Sequence, residues 1–141
     1  MLKKLFSGLL ILSLLTLLVW AMFEGAWLSD DAYITYRTVD NWVNGYGLRW
    51  NVAERVQTYT HPLWMMLNAG AYTFTKEIFY TGMSLGIAVS LLAALTSLLG
   101  VARGVMNKVL FLALLLLSRA FLEFTTSGLE NPLTHLLLAL F

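Results

Sequence analysis

The sequence predicts an all-α membrane protein with polytopic transmembrane helices and a long first extracytoplasmic loop that carries juxtamembrane helices. Three observations lead there. Hydrophobic residues make up 59% of the 141 and charged residues only 12%, against about 25% charged in a soluble domain, and the mean hydropathy is +0.73. Apolar runs near the roughly 20 residues needed to span a bilayer occur at 5–23 and 78–99, with shorter ones beyond. Between the two long runs lies the one long polar stretch, 29–64, with Asp30, Asp31, Asp40 and Glu54 in it and Glu24 just upstream. Adjacent carboxylates beside a membrane are the best chemical lead in the chain, so this stretch is read as a candidate active-site loop.

The formal net charge of +1 and the lack of any run of like charges offer no basic patch for nucleic acid. With no cysteine there is neither a disulfide nor a thiolate metal site. Any metal would have to use carboxylate and imidazole ligands.

Lys3 and Lys4 precede the uncharged run 5–23, which places the N-terminus in the cytoplasm by the positive-inside rule. Val19-Trp20-Ala21 would also serve as a signal-peptidase site, but the run exceeds the ~7–15 residues of a signal-peptide core and further spans follow. The loop at 24–77 is then extracytoplasmic. Within it, Ser29 or Asp30 can cap a helix from about 31 to 43, with the acidic residues at the positive end of its dipole and Gly45 as a stop. Tyr33, Tyr36, Arg37 and Asp40 fall on one face of that helix. They form either a solvated face held by an Arg37 to Asp40 pair or a face from which Arg37 reaches an anionic group near Asp30 and Asp31. Gly45-Tyr46-Gly47 reads as a turn and 48–60 as irregular.

Pro62 opens a helix to about Thr75. Fourteen residues reach about 21 Å, short of a ~30 Å hydrocarbon core. It is therefore laid along the membrane surface, which also keeps Arg103 and Lys108 in a cytoplasmic turn; a short second span would put them outside. The run from 78 supplies the next span and contains Gly82 and Gly86, a GxxxG that permits close helix approach. The stretch 105–122 returns across, with Arg119 and Glu123 spaced as an i,i+4 pair. Asn131 as cap and Pro132 as first helical residue open the last helix and leave Glu130 at its extracytoplasmic mouth, facing the same compartment as Asp30 and Asp31. Residues 132–141 are apolar but too few to span. The chain is thus expected to be the N-terminal part of one transmembrane domain, with spans at about 5–23, 78–100, 105–122 and a truncated 132–141.

In order along the chain stand Asp30-Asp31-Ala32-Tyr33-Ile34 with Tyr36-Arg37, Asn44-Gly45-Tyr46-Gly47-Leu48, Asn51, Glu54-Arg55-Val56, Thr60-His61-Pro62-Leu63-Trp64 and Ser127-Gly128-Leu129-Glu130-Asn131-Pro132-Leu133. This arrangement resembles the GT-C class of membrane glycosyltransferases, most closely its arabinofuranosyltransferase-like and protein O-mannosyltransferase-like members. Val52-Ala53 stands where such sequences often have Pro-Gly, Gln57 where Glu is frequent and His61 where many have Ser.

The resemblance implies a sugar transferred, with inversion, from a polyprenyl-phosphate donor to an extracytoplasmic glycan, lipid or protein acceptor, in the plasma membrane and in contact with its lipids. It implies Asp30 as general base with Asp31 second. Tyr33, Arg37, Arg55, His61 and Glu130 are the substrate-binding candidates, and His61 with Glu130 are candidate ligands for a divalent cation, Mg²⁺ or Mn²⁺. His61 can also be read as a simple helix cap. A transporter or channel would bury its acidic residues within the spans, whose centres here are uncharged; a non-catalytic membrane scaffold is the other class.

Overall fold

The structure, a computed structural model, describes residues 1–54 and 56–141. Among them every regular element is an α-helix: α1 (Leu2–Glu24), α2 (Asp30–Val43), α3 (Pro62–Thr75), α4 (Ile78–Gly100), α5 (Gly104–Leu117), α6 (Arg119–Thr126) and α7 (Asn131–Leu140).

Local chemistry sets most of these boundaries. Ser29 has extended backbone and its hydroxyl accepts the Asp31 N–H at 3.2 Å, so α2 begins with two carboxylates on its positive end. Pro62 supplies a preset φ and no surplus donor at the start of α3. That helix ends where Lys76 turns left-handed at φ 55, and Glu77 caps the next one by accepting the Phe79 and Tyr80 N–H groups at 3.1 and 2.7 Å. The last helix starts one residue earlier than the sequence suggests, at Asn131, with Glu130 in the cap position but no capping bond from its side chain. Its carboxylate is engaged elsewhere.

The stretch 105–122, expected as one continuous run, is instead two helices bent by 68°. Ser118 is the break: its backbone leaves the helical region and its hydroxyl accepts the Phe121 N–H at 3.2 Å, ending α5 and capping α6. A serine side chain competes in this way with the helix's own hydrogen bonds.

Two apolar clusters hold the helices. Leu18 and Met22 of α1 meet Ile87, Ala94 and Leu98 of α4, Leu112 of α5 and Phe121 of α6. A smaller cluster of Val39, Met65 and Ala69 joins α2 to α3. The Gly82 and Gly86 face is a packing face as the spacing suggests. A Cβ at Gly82 would collide with the Tyr36 hydroxyl, and one at Gly86 with the Thr125 carbonyl. These absences let the Tyr36 side chain of α2 and the backbone of α6 come directly against α4.

Among the described residues two helices, α1 and α4, are long and apolar enough to cross a membrane, and α5 with α6 would make a third only as a bent pair. Much of α1 is exposed apolar surface, including Leu5, Phe6, Leu9, Leu12 and Trp20, as suits a helix surrounded by hydrocarbon.

Candidate active site

Three chain segments that are distant in sequence meet at the start of α2. The Ser29 N–H donates to the Ser127 carbonyl at 2.8 Å, and the Trp27 N–H donates to the Thr126 hydroxyl at 3.1 Å. The Trp64 indole N–H reaches the Gly128 carbonyl at 2.8 Å. Gly128 is suited to this turn, since its φ of +83 favours glycine and a Cβ there would lie 2.8 Å from the Tyr36 hydroxyl. The acidic pair, the N-terminus of α3 and the turn before α7 are thereby fastened together.

Between them is a hollow of about 310 Å³, lined by Asp31, Thr35, Thr58, His61, Trp64 and Glu130 among others. His61 Nε2 lies 2.8 Å from Glu130 Oε1, with His61 about half exposed and Glu130 less so. Asp31 lines the hollow directly. Asp30 stands beside it on the first turn of α2, exposed, and spends one carboxylate oxygen on the Asp31 N–H at 3.1 Å. A larger hollow of about 480 Å³ lies among α4, α5, α6 and α7, but its lining is mostly apolar and includes His135 and no carboxylate. The acid and base groups are in the smaller one.

The other sequence candidates fall around this centre. Arg37 forms no ion pair with Asp40. Its Nε donates to the Trp50 carbonyl at 3.0 Å, its Nη2 to Asn51 Oδ1 at 2.8 Å, and its guanidinium lies over the Trp50 ring at 4.6 Å. It braces the irregular loop against α2 instead of reaching Asp30 or Asp31. Asp40 accepts from the Tyr72 hydroxyl at 2.6 Å and from Asn44 at 2.8 Å. The Tyr72 phenol is held above its ordinary pKa, chiefly because it donates to that carboxylate and also because it is partly desolvated. Tyr33 is exposed and packs edge to face on Tyr36, with ring centroids 5.9 Å apart. Burial pushes the Tyr36 phenol well above the usual tyrosine range, and among the described residues its hydroxyl has no hydrogen-bond partner. Arg55 lies outside the described residues.

Sequence reasoning gave no role to Trp64, Thr35 or Thr58. Trp64 sits at i+3 from His61 on a proline-opened helix, and that spacing was the available signal. Thr58 is placed only by folding, through its 2.7 Å hydroxyl contact with Thr38.

Part of the chain is similar to two curated proteins of the same printed name, terminal beta-(1->2)-arabinofuranosyltransferase. The likeness to the one from Mycobacterium tuberculosis is 31% identity over 86 residues, 60% of this chain and 14% of that protein. For the one from Corynebacterium glutamicum it is 44% over 45 residues, 32% of this chain and 7% of that protein. The chain therefore spans a small part of the length of these relatives, and the similarity is partial. No family model matches the chain, and no solved structure matches it significantly.

Proposed function

We propose that this chain forms part of a membrane glycosyltransferase of the GT-C kind. It would take a sugar from a polyprenyl-phosphate carrier and join it to a hydroxyl of an extracytoplasmic glycan, lipid or protein acceptor. The observation that carries this reading is the convergence of Asp31, His61 and Glu130 on one hollow, with Asp30 alongside. The partial similarity to arabinofuranosyltransferases supports it and makes a pentose the first sugar to test.

In the proposed reaction a carboxylate of the acidic pair takes the proton of the acceptor hydroxyl. The acceptor oxygen then forms a bond to the anomeric carbon as that carbon's bond to the phosphate oxygen breaks, and the polyprenyl phosphate leaves with the electron pair and with inversion at the sugar. The resemblance assigns the base role to Asp30 with Asp31 as its neighbour. A positioned base contributes ~10²–10⁴-fold. Charge on the leaving phosphate needs compensation. His61, Arg37 and Arg55 are the candidates, although Arg37 would have to leave its contacts with Trp50 and Asn51.

A divalent cation, Mg²⁺ or Mn²⁺, would be held by Glu130 and His61, which now contact each other. Among the described residues no group of three His, Asp or Glu side chains is placed to hold one. The pair thus fits a hard cation only where water or substrate oxygens complete the shell. Bound there, a cation would neutralise phosphate charge.

The proposed setting is a multi-pass protein of the plasma membrane, with a cytoplasmic N-terminus and the loop outside. Membranes from cells expressing the protein, given a radiolabelled polyprenyl-phosphate pentose and a saccharide acceptor, are expected to form labelled product that is absent from a deletion strain. Unchanged glycan and lipid-carrier profiles in that strain would overturn the reading.

A further inference from the structure

We propose that Trp64 is a positioning residue whose indole N–H, acting through the Gly128 carbonyl, seats the turn that presents Glu130 to His61. The bond between them is 2.8 Å long and buried, and it joins residues 64 positions apart. Trp64 is 2% exposed and its ring lines the hollow. It belongs to the first turn of α3, one turn beyond His61, so one rigid helix end carries both the imidazole and the donor that fixes the imidazole's partner.

The far side of the turn leaves little room for retreat. Ala32 and the Tyr36 hydroxyl back Gly128 so closely that a Cβ there would meet both. On the near side the Ser29 N–H holds the Ser127 carbonyl, so the turn is shared with the start of α2 and its acidic pair. With the His61 to Glu130 contact, the Trp64 indole ties it to α3. Losing the indole N–H would leave a buried carbonyl unpaired, which corresponds to a shift of roughly fivefold to a hundredfold against the seated turn. A role in turnover rests on the reading under Proposed function; the placement of Glu130 does not.

The test uses the protein carrying His61→Cys and Glu130→Cys, in membranes, with a short bifunctional thiol reagent reporting how fast positions 61 and 130 are joined. Trp64→Phe is expected to slow the joining by about fivefold or more. Replacing Trp64 by β-(3-benzothienyl)alanine, which keeps the ring shape and lacks the N–H, is expected to do the same and guards against simple misfolding. Joining as fast as in the parent with the benzothienyl side chain would overturn the proposal. In otherwise native protein the same replacement is expected to lower kcat for sugar transfer more than it raises KM for the acceptor, and an unchanged kcat would count against a part in turnover. If cross-linking slows while the native protein transfers no sugar, the glycosyltransferase reading fails and the seating role stands.

Discussion

His61 Nε2 and Glu130 Oε1 lie 2.8 Å apart, joining the N-terminus of α3 to the turn that opens α7. Neither group is needed where it stands as a capping bond, since neither side chain caps its own helix. Both instead face the hollow that Asp31 also lines.

A half-exposed pair of this kind contributes only about 0–1 kcal/mol to stability. His61→Gln and Glu130→Gln are therefore expected to melt within a few degrees of the wild type while losing at least about tenfold in transfer. Full activity in both variants would remove the pair from the site.

The Tyr72 to Asp40 bond gives the α2–α3 contact a pH dependence. The folded-state pKa of Tyr72 is raised, so the stabilisation is fully present below the ordinary tyrosine value of about 10 and is lost as pH rises through the raised one. Its size is about 1 kcal/mol or less, because the pair is only partly buried and solvent screens it. Thermal melts at neutral and strongly alkaline pH are expected to show this loss in the wild type and not in Tyr72→Phe; equal slopes would contradict it.

Gly82 and Gly86 are required by close approach. Gly82→Ala meets the Tyr36 hydroxyl and ring, whereas Gly86→Ala meets the backbone carbonyl of Thr125. Each is expected to cost about 1–3 kcal/mol. Adding Tyr36→Phe should recover part of the Gly82→Ala loss and none of the Gly86→Ala loss. Melts in detergent that match the wild type for both glycine variants would refute the packing.

The helices were legible in the sequence where a period or a cap speaks locally. Pro62 to Thr75, the Ser29 cap, the GxxxG face and the Arg119 to Glu123 pair, whose atoms meet at 2.6 Å, all stand as their spacing implies. The bend at Ser118 was not legible, because a lone serine inside an apolar run is compatible with an unbroken helix until its hydroxyl is seen on Phe121 N–H. At the site, the approach of Glu130 to the acidic loop was expected from reading both segments on one side of the membrane, and Asp31 and Glu130 line the same hollow. The placement of Arg37 did not, because its partners, Trp50 and Asn51, lie in a loop without periodicity.

The topology proposed for the chain places the 101–103 turn between α4 and α5 in the cytoplasm with Lys3 and Lys4. Gly104→Cys in intact cells is expected to resist an impermeant thiol reagent added outside and to react once the membrane is opened. Labelling from outside would mean that α3 crosses the bilayer.

The acidic pair is the centre of the proposed chemistry, and sugar transfer by Asp30→Asn and Asp31→Asn in native membranes tests it most directly. Each variant should remain inserted and folded, since both side chains are exposed. Asp30→Asn is expected to lose ~10²–10⁴-fold in turnover with little change in acceptor KM. Retention of more than about a tenth of wild-type turnover by both variants would contradict a carboxylate base at this site.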